Sequence, residues 1–346
     1  GWCNLTVITS GAIAALCLAF ARYFSIIFHF GSGFNIPIAL SALLIVTMIN
    51  MLGAKLSAMF ASTLTVMKVL GIGIIVVICF SYGSHLLSNL HTVDEGSVKI
   101  SFGIALVGVL WSYGGWHHAS YLGGEVHNAQ KVLPKAMLSG AIIITMAYIS
   151  VNAAYLSVMT THEIALSSAV ASDALSRVTV VGGILVAVLI GFSTFGTAGI
   201  YTLSAPRIYF KMGEDRTFFS WLSDLHPKFG TPLKAIVLQS SWAAVLMIFW
   251  GTFESLTTYV VFMDWIFMTM AAIGLFIFRK REPDTDTTKY KVPLYPVVPM
   301  IFISISTWFL ISTIMGRPFQ AVAGLILMGI GLPVYFYFKR QNSVLS

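Results

Sequence analysis

Long apolar runs separated by short polar stretches repeat along the whole chain. Read from apolar run to polar break, they fall at 2–28, 36–53, 56–82, 101–126, 136–158, 179–206, 234–251, 257–278, 294–314 and 319–338. A helix that crosses the roughly 30 Å hydrocarbon core of a bilayer needs about 20 residues, and these runs have that order of length. They are apolar on every face, whereas strands of a membrane barrel are short and alternate apolar with polar. The pattern therefore predicts an all-α, polytopic membrane protein with about ten transmembrane helices. One stretch breaks the rhythm. Between Thr161 and Arg177, Ala, Leu and Val alternate with His162, Glu163, Ser167, Ser168 and Asp173, which predicts a short helix lying on the membrane surface rather than crossing it.

Composition agrees with the pattern. Hydrophobic residues make up 57% of the 346 and charged residues 10%, against about a quarter charged in an ordinary soluble chain. The formal net charge of +7 becomes informative once the basic residues are placed on the alternating spans. Lys55, Lys131 and Lys135, the loop from Arg207 to Lys234, the loop from Arg279 to Lys291, and Lys339 with Arg340 fall on one side; Lys99, Arg177 and Arg317 fall on the other. Cytoplasmic loops keep Lys and Arg, so the rich side is the cytoplasm and the C-terminus lies there. The charge is a topology signal, and no nucleic acid partner is expected. Cys3, Cys17 and Cys79 all sit within predicted spans, where they read as small packing residues. No disulfide framework or metal spacing follows from them.

The segment Phe102 to Pro134 departs most from a plain span. After an apolar start it places Gly114 and Gly115 between Tyr113 and Trp116, then continues with His117, His118 and Ser120. A Gly within a helix costs about 1 kcal/mol relative to Ala, so the pair weakens the helix near the middle of its span. Two readings stand. The glycines serve close helix packing, or the helix unwinds there, and unwound backbone inside a membrane is tolerated only where it lines a cavity or meets a ligand. Transporters use such breaks to hold the carboxylate and amine of a substrate. His117 and His118 are adjacent, so they point about 100° apart on a helix and cannot share one metal as an i, i+4 pair could; no metal and no cofactor is expected.

Trp111-Ser112-Tyr113-Gly114-Gly115-Trp116, with Glu125-Val126-His127-Asn128 and Lys131-Val132-Leu133-Pro134-Lys135-Ala136 after it, resembles the sixth helix and following loop of the amino acid-polyamine-organocation superfamily. The L-type amino acid transporters and their bacterial relatives are the nearest in pattern. The chain departs from that pattern at Gly124, where the family has the first of two Glu, and at Ala129, where it has Pro. Ser204-Ala205-Pro206-Arg207 through Gly213-Glu214-Asp215, and then His226-Pro227-Lys228-Phe229-Gly230-Thr231-Pro232, are similar to the loop after the family's eighth helix, with Pro206 in place of a small or polar residue. Lys68 and the Val-Leu-Gly after it resemble the fifth-helix lysine of sodium-independent members.

The resemblance implies a single transporter domain over 1–346, built on two inverted five-helix repeats. In its register, 1–83 holds family helices three to five, 101–278 helices six to ten, and 294–338 the last two. The expectation is then that the family's first two helices are missing, with the substrate-binding break of the first, and that the chain as given does not transport. Trp111 is implied as the aromatic gate, Ser112, Tyr113 and Gly114 as backbone ligands of the substrate amine, and Gly115 as the residue that permits the break. Lys68 is implied to replace a sodium ion; the run Ser193-Thr194-Phe195-Gly196-Thr197-Ala198-Gly199 either helps it through its hydroxyls, Ser193 and Thr194 first among them, or serves only close packing against the family's first helix. A charge at mid-depth costs about 2.5–3.5 kcal/mol on insertion scales, so Lys68 either has such a role or snorkels from a tilted helix. Asp264 is the other ion within a span. It is a candidate proton site, against simple hydrogen bonding near the interface.

The functional expectation is a secondary active amino acid transporter of the plasma membrane, of the bacterial inner membrane on this resemblance, working by sodium-independent exchange or proton coupling. A polyamine permease and a non-transporting fragment are the alternatives. No Cys lies in an outer loop, so no disulfide-linked accessory subunit is expected; the partners are an amino acid substrate and the lipid bilayer. An intramembrane enzyme would need paired carboxylates, a nucleophile with its base or a His-rich metal set in the spans. The sequence offers none of these.

Overall fold

The computed structural model describes residues 1–52, 54–91, 102–116, 127–179, 181–281 and 292–345. Among them all regular structure is helical. Each predicted apolar run contains a helix: α1 (Thr9–Phe28), α2 (Asn35–Met51), α3 (Ala54–Tyr82), α5 (Phe102–Ser112), α6 (Ala129–Val158), α9 (Gly182–Ser204), α11 (Leu233–Trp250), α12 (Phe253–Arg281), α13 (Val297–Gly316) and α14 (Pro318–Leu345). Short helices α4 (Leu86–His91) and α10 (Pro206–Glu214) extend α3 and α9. Among the described residues seven helices are long and apolar enough to cross a membrane, and those at Asn35–Met51, Val66–Tyr82 and Phe102–Ser112 are shorter. The stretch from Thr161 to Arg177 holds two helices rather than one, α7 (Thr161–Leu166) and α8 (Val170–Ser176). They part at Ser167, whose hydroxyl accepts from the Ala169 N–H and donates to Asp173, a local bond that competes with the helix.

The helices gather into two compact units, one of residues 1–98, 150–260 and 323–346, the other of 99–149 and 261–322. In the first, α1 packs on α2, α9 and α11. Its contact face is small, with Gly11, Ala12, Ala14, Ala15, Cys17 and Ala21 all buried, because close approach of backbones is what holds helices together where lipid removes the hydrophobic drive. A side chain at Gly11 would meet Val260 Cγ2 at 2.5 Å. Cys79 is buried with Ile75, Val151, Ala154, Leu175 and Val186. Residues far apart in sequence also meet in this unit: the Trp2 indole donates to the Leu327 carbonyl at 2.7 Å. In the second unit α5 packs on α13 around Val107, Val261 and Phe309. Outside both cores the helices carry exposed Leu44, Val69, Ile143, Ile248, Phe249 and Met315, a surface that water would penalise and lipid does not.

Polar groups near the α7–α8 segment are tied down. Thr160 and Glu163 form a capping box at the start of α7, and Arg177 grips Glu163 with both terminal nitrogens, at 2.8 and 2.9 Å. Those bonds, the Arg177 ones first, hold the Glu163 carboxyl down at about 2. Arg22 of α1 donates to Glu254 at 2.9 Å and to the Ser168 carbonyl at 3.2 Å.

Candidate functional site

Within the second unit, α5 stops where the glycine pair falls. The Tyr113 N–H still reaches Val109 O at 3.0 Å, and the Gly114 N–H turns back on Trp111 O at 3.0 Å, a tighter closure than an α-turn. Gly115 then takes φ 94°, which only glycine adopts without strain. A Cβ on Gly114 would sit 3.0 Å from the Trp111 carbonyl oxygen. The glycine pair thus falls just past the end of α5, in a turn over 113–116. His117, His118, Ser120, Gly124 and Glu125 lie outside the described residues.

Helix ends leave carbonyls without intrahelical partners, and here α6 supplies one. The Tyr148 hydroxyl donates to the Ser112 carbonyl at 2.7 Å. Beside it the Tyr113 hydroxyl donates to Thr145 Oγ1 at 3.3 Å, and the two tyrosine rings meet edge to face with centroids 5.1 Å apart. The Ser112 hydroxyl donates back to Gly108 O at 2.9 Å. Trp111 is half-buried against the Val107, Val261 and Phe309 cluster. Thr145 and Tyr148 are contributors that sequence reasoning missed. Their signal was a tyrosine inside the run 136–158, whose hydroxyl needs a partner when buried.

In the first unit, Lys68 of α3 donates from Nζ to Thr197 Oγ1 on α9 at 2.5 Å. The Thr197 hydroxyl donates in turn to Ser193 O at 2.8 Å, as the i, i+4 spacing allows. The run 193–199 does meet Lys68, through Thr197. Thr194 spends its hydroxyl on Ile190 O and Gly191 O, both at 3.0 Å, and Ser193 takes part by its carbonyl. Among the described residues Lys68 has no ion pair. Asp264 of α12 belongs to the second unit and is half-buried; no hydrogen bond or ion pair among the described residues engages its carboxylate. Its neighbour Trp265 stacks on Phe302 with centroids 5.4 Å apart.

Taken alone, an apolar helix that ends at a glycine pair and a cation on a threonine suit several membrane proteins. Residues 1–339 match the family model described as amino acid permease. The chain belongs to the amino acid permease family. This permease is 33% identical to the serine/threonine exchanger SteT of Bacillus subtilis (strain 168), over 99% of its own chain and 78% of the exchanger. It is 29% identical to the b(0,+)-type amino acid transporter 1 of Mus musculus, over 97% of this chain and 70% of that one. With the human cystine/glutamate transporter it shares 26% identity, over 97% of this chain and 68% of the transporter. The permease is thus a multi-pass membrane protein whose relatives carry amino acids.

Proposed function

We propose that this permease exchanges small neutral amino acids across the plasma membrane without sodium, with its C-terminus in the cytoplasm and its helices arranged as inverted repeats. The observation that carries this is the end of α5 at Ser112, followed by Gly115 at φ 94°, in a chain of the amino acid permease family. An α-amino acid presents an ammonium and a carboxylate, and interrupted backbone offers carbonyls to the first and N–H groups to the second. Ser112, Tyr113 and Gly114 are assigned to the substrate amine, Gly115 to the break, and Trp111 to the aromatic cover. The bulk of Trp111 favours small substrates, in keeping with the serine/threonine exchanger among the relatives.

Lys68 supplies a fixed positive charge where a sodium-coupled carrier would bind the ion, with Thr197 and the Ser193 carbonyl as its support; Thr194 holds the local helix. A second reading, proton coupling at Asp264, is favoured by a half-buried carboxylate with no partner among the described residues. Proteoliposomes separate the two. Uptake of labelled serine and threonine is measured with and without internal amino acid and with and without a pH gradient, for the chain and for the chain joined to the segments of the Bacillus subtilis exchanger outside the match. Exchange requires that preloading accelerate uptake, with sodium without effect. Uptake driven by the gradient alone, and lost in Asp264→Asn, would favour the second reading. Leucine carried as well as serine would sink the role given to Trp111.

A further inference from the structure

Gln239 lies in the middle of α11, fully buried in the first unit. Among the described residues neither its Nε2 nor its Oε1 has a hydrogen-bond partner. Its neighbours on the same helix are provided for: Ser240 accepts from the Thr47 hydroxyl at 2.8 Å, and the Trp242 indole donates to Thr6 O at 2.7 Å. Even the Gln239 backbone carbonyl is used, accepting from Ser10 Oγ of α1 at 3.4 Å. The residues one turn away on its helix, Ala235 and Ala243, are buried methyls. Opposite, α1 begins with a widened π-turn at Asn4–Ile8, a departure that is rare and frequently found at functional sites. The Thr6 carbonyl within that turn takes a second donor, the Tyr259 hydroxyl, at 3.2 Å.

An amide carries two donors and an acceptor with two lone pairs, and stranding all of them inside a membrane protein is costly where leucine or methionine would fill the same space. The ligand that satisfies such a group must both accept and donate and must be small. A metal cation is excluded, because one amide oxygen falls far short of the six or more that a hard divalent ion takes. We propose that Gln239 is the core of a buried water-binding site between α11 and α1, a permanent wet spot in the helix interface. Buried waters of this kind make about three hydrogen bonds to groups the protein leaves unpaired. The site lies within the first unit and does not depend on which amino acid is carried.

The test is a structure of the chain in lipid nanodiscs at a resolution that shows ordered water, with melting temperatures of the native protein and of Gln239→Met, Gln239→Leu and Gln239→Asn. Density for water within hydrogen-bond distance of the amide is expected. Both apolar variants should melt a few degrees lower, because they expel the water and leave its space unfilled, with Gln239→Asn between them and the native protein. Melting of Gln239→Met at or above the native temperature is the result for a dry amide and overturns the proposal. So does an amide found bonded directly to a protein group. If Gln239→Leu fails to fold, the unbranched Met variant and the density decide.

Discussion

Lys68 meets a hydroxyl rather than a carboxylate, and this makes its charge available to whatever else comes close. A hydrogen bond to a charged group contributes about 1.5–3 kcal/mol, so Thr197→Val should leave the ammonium poorly anchored and weaken exchange at least about tenfold. Thr197→Ser, which restores the hydroxyl, should recover most of it. Ser193→Ala should do little, because only its carbonyl takes part. Labelled-serine exchange reads all three. At the end of α5, Tyr148→Phe removes the donor to the Ser112 carbonyl while keeping the ring against Tyr113. If that carbonyl belongs to the substrate site, the change frees it and alters substrate affinity by a few-fold; an unchanged KM would make Tyr148 a packing residue only. The importance of Lys68 could be read from a charge in mid-span. Which hydroxyl reaches it could not, because that depends on the rotation of α9 about its own axis, and a run rich in Ser, Thr and Gly looks alike on every face. Tyr148 was hidden for a similar reason, since a tyrosine in an apolar run also suits ordinary packing.

At the scale of an element, the end of α5 turns on one glycine. Gly115 at φ 94° lies in a region that costs any L-residue of order 1–3 kcal/mol, so Gly115→Ala should either restore helix through the break or strain it, and exchange should fall about tenfold or more. Gly114→Ala, pressed against the Trp111 carbonyl, should be damaging but less so. This element was legible because two glycines between aromatic residues are conspicuous in a membrane run. The division of 161–177 into α7 and α8 was not, since it falls at one hydroxyl, Ser167, with its two local bonds. The pair Glu163 and Arg177 gives that segment a pH dependence. The folded carboxyl sits at about 2, below the unfolded value of about 4.3. Its stabilisation is therefore complete above pH 4.3 and drains away as the pH falls toward 2. Hydrogen exchange of α7 should speed up across that window, and Glu163→Gln should exchange fast at neutral pH and show no such step. The bridge is exposed, so salt should blunt the effect.

Across the whole molecule, the alternation of spans and the placement of Lys and Arg define a testable sidedness. In a background with Cys3, Cys17 and Cys79 replaced by Ala, a cysteine at Arg177 should react with an impermeant reagent on intact cells, and one at Lys228 only after permeabilisation. The reverse pattern would invert the topology proposed above. The apolar runs made the helices readable from sequence alone because lipid imposes one strict length and one strict polarity on any crossing. Which helices pack on which was beyond that reading, for the small residues that choose partners are spread through nearly every run. The bond from Trp2 to Leu327 bridges 325 positions of sequence. Ribosomes add about 5–20 residues per second, so the indole waits on the order of tens of seconds before its acceptor has even been made. During that interval the turn that carries Trp2 lacks its acceptor, so the contact that ties it to α14 is made only late in synthesis.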